Sequence, residues 1–220
     1  MLRDNNKNKE YFDSFILETS ARSHKFINTL HMLPKADFDK IKQCELYISN
    51  FERDILYAMY SRGDSKNDLV TQFKVYLSHI IVNGCSGYYE YLTLLSLVIL
   101  FDIKESGISN ILEDVRFDDS LVQIFKNYIK NNKIVISDFR LKYDNYKKFL
   151  GYLTDKVDFP DFCDFIENTW YSTCSDLYWY NNLKSKQNTY TGYWCWIGAA
   201  VLKMKKIKTC ELKFIPKDLL

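Results

Sequence analysis

The side chains that could catalyse a reaction or hold a metal ion are few and widely spaced in this sequence. His24 and His31 lie seven residues apart, and His79 stands alone. Two helical histidines that share a metal ion are normally three or four residues apart, because that spacing brings both rings within reach of the ion. The sequence has no C-x-x-C, H-E-x-x-H or G-x-S-x-G motif and no glycine-rich phosphate loop. We therefore expect no catalytic residue, no metal and no cofactor, although an enzyme with a cysteine nucleophile and a distant histidine stays open as an alternative.

Acidic residues are concentrated in one part of the second half of the chain. Residues 153–183 contain five aspartates and one glutamate against a single lysine, Lys156. Such a run is most often a solvated helix face that also complements the helix dipole. It can also be a docking face for a basic partner, where clustered carboxylates raise the association rate. The third-residue repeat consists of Asp155, Asp158, Asp161, Asp164 and Glu167, and a second acidic patch consists of Glu113, Asp114, Asp118 and Asp119.

Basic residues follow the acidic ones, so the net charge of +2 conceals a local separation of charge. Residues 184–220 carry eight lysines against Glu211 and Asp218. Four of these lysines fall within 203–208, at the predicted end of a helix, where cations are favoured in any case. A helical nucleic-acid-binding module that uses this lysine-rich C-terminal region is the alternative function.

Aromatic residues crowd the region between the acidic and basic segments. Large rings are core residues by default, since they bury much apolar area. Trp179 and Tyr180 precede Asn181 and Asn182, and aromatic residues in a polar setting are typical anchors of protein interfaces. The sequence leaves both roles open for the set Trp170, Tyr171, Tyr178, Trp179, Tyr180, Tyr190, Tyr193, Trp194 and Trp196.

The elements that position these residues are predicted to be helices almost throughout. Apolar residues recur at steps of three and four along most of the chain, and 7 glycines and 3 prolines supply few turns for an all-β fold. Only residues 133–139 show the β-branched alternation of a strand. We predict an all-α, compact bundle of about eight to ten helices, with an N-terminal part at 1–105 and a C-terminal part at 106–220 packed as one compact unit. The predicted helices span 8–31, 37–62, 87–101, 108–115, 120–131, 144–154, 158–179 and 193–205. A further helix, the third in chain order, has Asp64 or Ser65 as its cap, its apolar residues between Leu69 and Ile80, and its end at the Asn83-Gly84 turn.

The longest apolar run, residues 91–101, is predicted to be a buried helix of the core. A membrane span needs about 20 apolar residues, and this run has 11. The polar start of the chain lacks the apolar region of a signal peptide, so we expect a cytoplasmic protein with reduced cysteines. The residues predicted to be buried are Leu94, Leu95, Leu97, Val98 and Leu100.

The segment from Trp179 to Lys203, WYNNLKSKQNTYTGYWCWIGAAVLK, resembles the C-terminal signature of the PoNi-type immunity proteins of bacterial polymorphic toxin systems. The matching features are a Trp-Tyr pair, a basic polar stretch, an aromatic-x-Gly-Tyr-Trp box, two alanines and a closing Pro-x-Asp-Leu. Weaker similarity extends to the first half of the chain. The positions are Trp179-Tyr180, Lys184-x-Lys186, Tyr190-x-Gly192-Tyr193-Trp194, Ala199-Ala200, Pro216-Lys217-Asp218-Leu219, Arg3-Asp4, Tyr11-Phe12 and Tyr88-Tyr89-Glu90-Tyr91.

The resemblance implies a helical cytoplasmic protein that binds a cognate PoNe-type DNase toxin and inhibits it stoichiometrically, without turnover. It implies no cofactor, no membrane and no direct contact with nucleic acid, and it leaves the oligomeric state open. Leu183 and Ile197 replace a histidine and a glutamate that the family usually shows, so apolar packing takes the place of any polar network there. We predict that the toxin-binding residues are Asp158, Asp161, Asp164, Glu167, Trp179 and Tyr180.

Overall fold

The computed structural model describes residues 1–104, 108–136 and 139–220, with the backbone alone for 81–83. Over these ranges the chain forms nine α-helices and no strand, which confirms the predicted all-α class. In the predicted strand, residues 133–136 and 139 are irregular, and Ser137 and Asp138 lie outside the described residues. The helices are α1 (Lys9–Met32), α2 (Phe38–Arg62), α3 (Lys66–Asn83), α4 (Tyr88–Leu100), α5 (Ile108–Leu112), α6 (Ser120–Asn131), α7 (Lys147–Leu153), α8 (Phe159–Asp164) and α9 (Trp196–Met204).

The chain divides into two compact units. The first unit comprises Met1–Gly84 and Tyr178–Gly192, and the second comprises Cys85–Leu177 and Tyr193–Leu220. The predicted boundary between residues 105 and 106 lies outside the described residues. The packing of two parts as one compact unit stays a prediction.

In the first unit, α1, α2 and α3 begin and end at the residues that local chemistry favours. The side chain of Asn8 caps α1 by accepting a hydrogen bond from the Tyr11 N–H at 3.0 Å. Gly63 ends α2 in the left-handed region at φ 98°, and a Cβ there would lie 1.9 Å from the Met1 carbonyl oxygen. Of the two candidate caps, Asp64 and Ser65, it is the Ser65 hydroxyl that caps α3 by accepting a hydrogen bond from the Asp68 N–H at 3.2 Å.

A hydrogen-bond network ties the residues 178–192 to the N-terminus of the first unit. The Tyr190 hydroxyl donates to the buried carboxylate of Asp4 at 2.6 Å. The Tyr11 hydroxyl donates to the Tyr190 carbonyl and accepts from its N–H. The Ser61 hydroxyl donates to the Thr191 carbonyl at 2.6 Å. Asp4, Tyr11 and Tyr190, which carry the resemblance at opposite ends of the chain, therefore form one structural cluster.

In the second unit, α4 is buried around most of its circumference and packs against α6 and α9. Ala199 and Ala200 of α9 are fully buried, and their small side chains allow α4 and α9 to approach closely. A Cβ on the neighbouring Gly198 would lie 2.8 Å from the Cys195 sulfur, so no larger residue fits without a shift. The predicted core of α4 is confirmed, with at most 1% exposure at Leu94, Leu95, Leu97, Val98 and Leu100.

The predicted helix over 158–179 is instead a succession of three short helical forms in the second unit that ends at Cys174, and residues 175–179 are turns and a bend. Asp158 caps α8 by accepting from the Asp161 N–H at 2.8 Å, and Pro160 stands in the first turn. A π-helical turn, Phe165–Thr169, and a 3-10 turn, Trp170–Cys174, continue the chain. A π-helical turn bonds residues five apart, so each of its residues covers less rotation than in an α-helix.

Candidate protein-binding surfaces

Four of the predicted toxin-binding residues lie on α8 and the π-helical turn, and we refer to them as the acidic stripe: Asp158, Asp161, Asp164 and Glu167. The three aspartates are exposed and the glutamate is half-buried. Glu167 lies in the π-helical turn, and its carboxylate accepts a hydrogen bond from the Lys213 N–H at 2.5 Å. The stripe is thus an exposed row of three carboxylates with a fourth directed to the C-terminal tail.

The carboxylates of the acidic stripe have few partners within the protein. Asp158 bonds the Asp161 N–H as a helix cap, and Asp164 accepts from the Asn168 amide at 2.8 Å. The Asp161 side chain has no hydrogen bond or ion pair within the described ranges, and no lysine or arginine there forms an ion pair with any of the four. Their negative charge is therefore available to a partner of opposite charge.

The neighbouring Asp155, unlike the residues of the acidic stripe, has a cation partner within the protein. Its carboxylate forms an ion pair with Lys205 at 2.5 Å, and its backbone is left-handed at φ 57°. Lys203 likewise bonds Asp102 at 2.8 Å and the Leu100 carbonyl at 2.9 Å. Two of the four clustered C-terminal lysines are thus paired within the second unit, which weakens the nucleic-acid alternative.

The second acidic patch is mainly structural. Asp119 is only 2% exposed and accepts hydrogen bonds from the Val122 N–H, the Lys142 N–H and the Tyr88 hydroxyl. Burial is the main cause that raises the pKa of Tyr88, and the Asp119 carboxylate raises it further. The Arg116 guanidinium bonds Asp114 and lowers the pKa of that carboxyl. Asp114 and Asp119 are therefore committed to contacts within the second unit.

The aromatic residues near position 179 divide in a way that the sequence did not predict. Trp179 is 7% exposed, so its ring is part of the packing of the first unit, while Tyr180 is half-buried. Tyr178 is 59% exposed, and the Arg53 guanidinium lies over its ring at 4.7 Å from the centroid. The most accessible ring of this segment is therefore Tyr178, a residue that the sequence did not distinguish from its neighbours.

Arg53 is a buried arginine that holds Tyr178 in place. Its guanidinium donates to the Asp54 carboxylate at 3.0 and 3.1 Å and to the Asn50 side chain at 3.0 Å. Burial favours a lower pKa for Arg53, but the nearby Tyr178 and Asp54 outweigh this effect and the pKa is raised. The guanidinium is thus a fixed cation that stacks on an exposed ring.

A groove of about 420 Å³ lies in the first unit beside Tyr178, and we call it the aromatic groove. Its walls come from α1, α2 and the residues 178–189. Four rings and several amide and hydroxyl side chains face it, and both of its ionised side chains are paired, Arg22 with Glu18 at 3.7 Å and Asp54 with Arg53 at 3.0 Å. The rings belong to Phe15, Phe51, Tyr178 and Tyr180.

The histidines and cysteines form no metal-binding cluster in the part of the chain that the structure describes. His24 and His31 are exposed on α1 and His79 is half-buried on α3. Within the same residues, no helix is both long enough and apolar enough to cross a membrane.

Over the described residues, the structure defines an all-α protein with an exposed acidic stripe in one unit and an aromatic groove in the other. Residues 117–219, a little under half of the chain, match the family described as PoNe immunity proteins (PoNi), C-terminal. This match confirms the resemblance to PoNi-type immunity proteins seen in the sequence, and immunity proteins of that family are generally not enzymes. No curated protein and no solved structure matches the chain.

Proposed function

We propose that this protein binds a PoNe-type nuclease toxin in the cytoplasm and neutralises it by forming a stoichiometric complex, without turnover. The match of residues 117–219 to the PoNi family is the observation that carries the proposal. A binding role also agrees with the exposed acidic stripe, whose carboxylates have no cation partner within the described ranges.

The acidic stripe is suited to the charge of a nuclease. An enzyme that holds DNA needs a positive groove for the phosphates. Carboxylates fixed on a helix can occupy that groove before DNA does, and opposite charges accelerate association. Asp161 is the residue best placed to do so, because its carboxylate is exposed and forms no hydrogen bond or ion pair within the described residues. Trp179 supports the segment from within, and Tyr180 is the half-buried ring that contacts the toxin.

The experiment compares the charge reversal Asp161→Lys with Asp39→Lys as a matched control. Both aspartates are exposed, lie in the first turn of a helix and form no ion pair in the described part of the chain. Each variant replaces one aspartate with one lysine, so the net charge of both changes by the same amount relative to the parent protein. Binding kinetics with a catalytically inactive nuclease domain of the cognate PoNe-type toxin are measured at low and high salt.

We expect Asp161→Lys to slow association several-fold at low salt and to reduce its salt dependence, while Asp39→Lys leaves both nearly unchanged. Equal kinetics for the two variants would remove the stripe from the interface and leave the immunity role in place. The immunity role would be refuted if the unmodified protein did not bind the cognate toxin or did not protect cells that express this toxin. Salt-dependent binding of DNA alone would support the nucleic-acid alternative instead.

A further inference from the structure

The aromatic groove of the first unit has a lining that suits a polypeptide better than a charged polymer. Arg22 and Asp54 are each engaged in an ion pair with a residue of their own helix. The other polar side chains are hydroxyls and amides, among them Thr19, Asn181 and Gln187. A polyanion finds no unpaired cation here, whereas a peptide backbone presents N–H and C=O groups that amide side chains can bond.

Two amide side chains in the wall of this groove are incompletely bonded. The side-chain oxygens of Asn182 and Asn188 are buried and accept no hydrogen bond within the described part of the chain. The Asn182 amide nitrogen donates to the Thr189 carbonyl at 2.8 Å, which fixes the orientation of that amide, so the oxygen is the unsatisfied atom. Buried acceptors without donors are unfavourable, so a partner gains binding energy when a small side-chain shift in this wall brings its N–H groups to these two oxygens.

The exposed ring of the groove is already held in position. Arg53 lies over the Tyr178 ring and is itself fixed by Asp54 and Asn50. A side chain that is ordered before binding loses little conformational entropy when a partner arrives. Tyrosine with surrounding asparagine and serine is also the composition of antibody surfaces that recognise polypeptides.

From these observations we propose that the aromatic groove binds an extended, uncharged loop of the nuclease toxin, with Tyr178 as the anchoring ring. The loop presents backbone N–H groups to the wall formed by residues 181–189. This inference rests on the proposed immunity function and adds to it a second contact, which depends on shape and hydrogen bonds rather than on charge.

The test fills the groove with a large side chain at an exposed position of its wall. Gln187→Trp does so from the loop, and Arg22→Trp does so from α1. His24→Trp is the matched control, because His24 is exposed on α1 two residues beyond Arg22 and does not line the groove. The affinity of each folded variant for the inactive nuclease domain is measured, together with hydrogen exchange of residues 181–189 in the unmodified complex.

We expect both groove variants to raise Kd about tenfold or more, since they occlude a central anchor, and the control to leave Kd unchanged. Residues 181–189 should also become protected from exchange in the complex. Full affinity in the groove variants, with no protection of 181–189, would refute this inference while leaving the immunity role intact. Protection of 181–189 by a single-stranded oligonucleotide, and not by the nuclease domain, would also refute it. If the unmodified protein does not bind the nuclease at all, both proposals fail together.

Discussion

Removal of the Asp119 side chain should destabilise the second unit strongly, because one buried carboxylate holds three donors. Its oxygens accept from the Val122 N–H at 3.0 Å, the Lys142 N–H at 3.0 Å and the Tyr88 hydroxyl at 2.8 Å. The bond from the Val122 N–H caps α6, and the bond from the Lys142 N–H fixes the backbone that follows residue 139. The bond from the Tyr88 hydroxyl connects Asp119 to α4. Asp119→Ala leaves all three donors without this acceptor.

The expected cost follows from the three lost bonds. Loss of a helix cap costs about 1 kcal/mol, the buried Tyr88 hydroxyl left unsatisfied costs roughly 1–3 kcal/mol, and loss of the bond from the N–H of the exposed Lys142 costs about 1 kcal/mol. The buried carboxylate forms no ion pair with a described lysine or arginine, so its removal also relieves an unfavourable desolvation, and the Tyr88 hydroxyl can rotate. We therefore expect the free energy of unfolding to fall by about 3–4 kcal/mol, near the low end of the sum.

Chemical denaturation of Asp119→Ala, Asp119→Asn and Asp118→Ala measures this effect. Asp119→Asn keeps one acceptor for the cap and should cost less than the alanine variant. Asp118 is half-buried and accepts a side-chain bond from Gln123, so its removal should cost under about 1 kcal/mol. A loss of less than about 1 kcal/mol in Asp119→Ala would show that water or other groups satisfy the donors and that the network is not a stabilising centre.

Two further predictions concern the core and the thiols. Leu97→Ala, at 0% exposure on α4, should lower the free energy of unfolding by about 2–5 kcal/mol in the same denaturation assay, and an unchanged midpoint would place α4 outside the core. Burial raises the pKa of Cys174 to about 12, so at about pH 8 a thiol reagent should modify the half-buried Cys163 and leave Cys174 unmodified until the protein unfolds. The neutral, buried Cys174 thiol should contribute fully to the free energy of unfolding below the unfolded pKa of about 8.5, and this contribution should be lost as the pH rises toward the pKa of the folded state. Rapid labelling of Cys174 in the native protein would contradict its burial.

The helix ends could be predicted from the sequence where a local residue determines them. Gly63 supplies the left-handed conformation that ends α2. Ser65 caps α3 and Asp119 caps α6, each being one of two adjacent residues that the sequence offers as a cap. The predicted helix over 193–205 was too long, because α9 begins only at Trp196. The reason is tertiary, since the Cys195 N–H donates to the Phe214 carbonyl at 2.7 Å and so holds the preceding residues in an irregular path.

The candidate surfaces were predictable to a smaller degree. The third-residue spacing of the acidic stripe predicted a solvated helix face, and the structure shows its three aspartates exposed. The stack of Arg53 on Tyr178 joins residues far apart in the chain, and no local pattern links them. In an irregular segment the direction of each ring depends on the path of the backbone, so the exposure of Tyr178 and the burial of Trp179 needed the structure.

The two proposed surfaces depend on different forces, and kinetics can separate them. Attraction between exposed charges acts at a distance and is screened by salt, so the acidic stripe should influence mainly the association rate. Ring packing and hydrogen bonds in the aromatic groove form only after contact, so they should influence mainly the dissociation rate. If added salt lowers the affinity of the complex modestly and leaves its dissociation rate constant, the groove contact persists after salt has screened the charge contact. An inhibitor of a DNA-binding enzyme gains from this combination, because charge brings it to the positive groove early and the uncharged contact keeps it bound when DNA and salt compete.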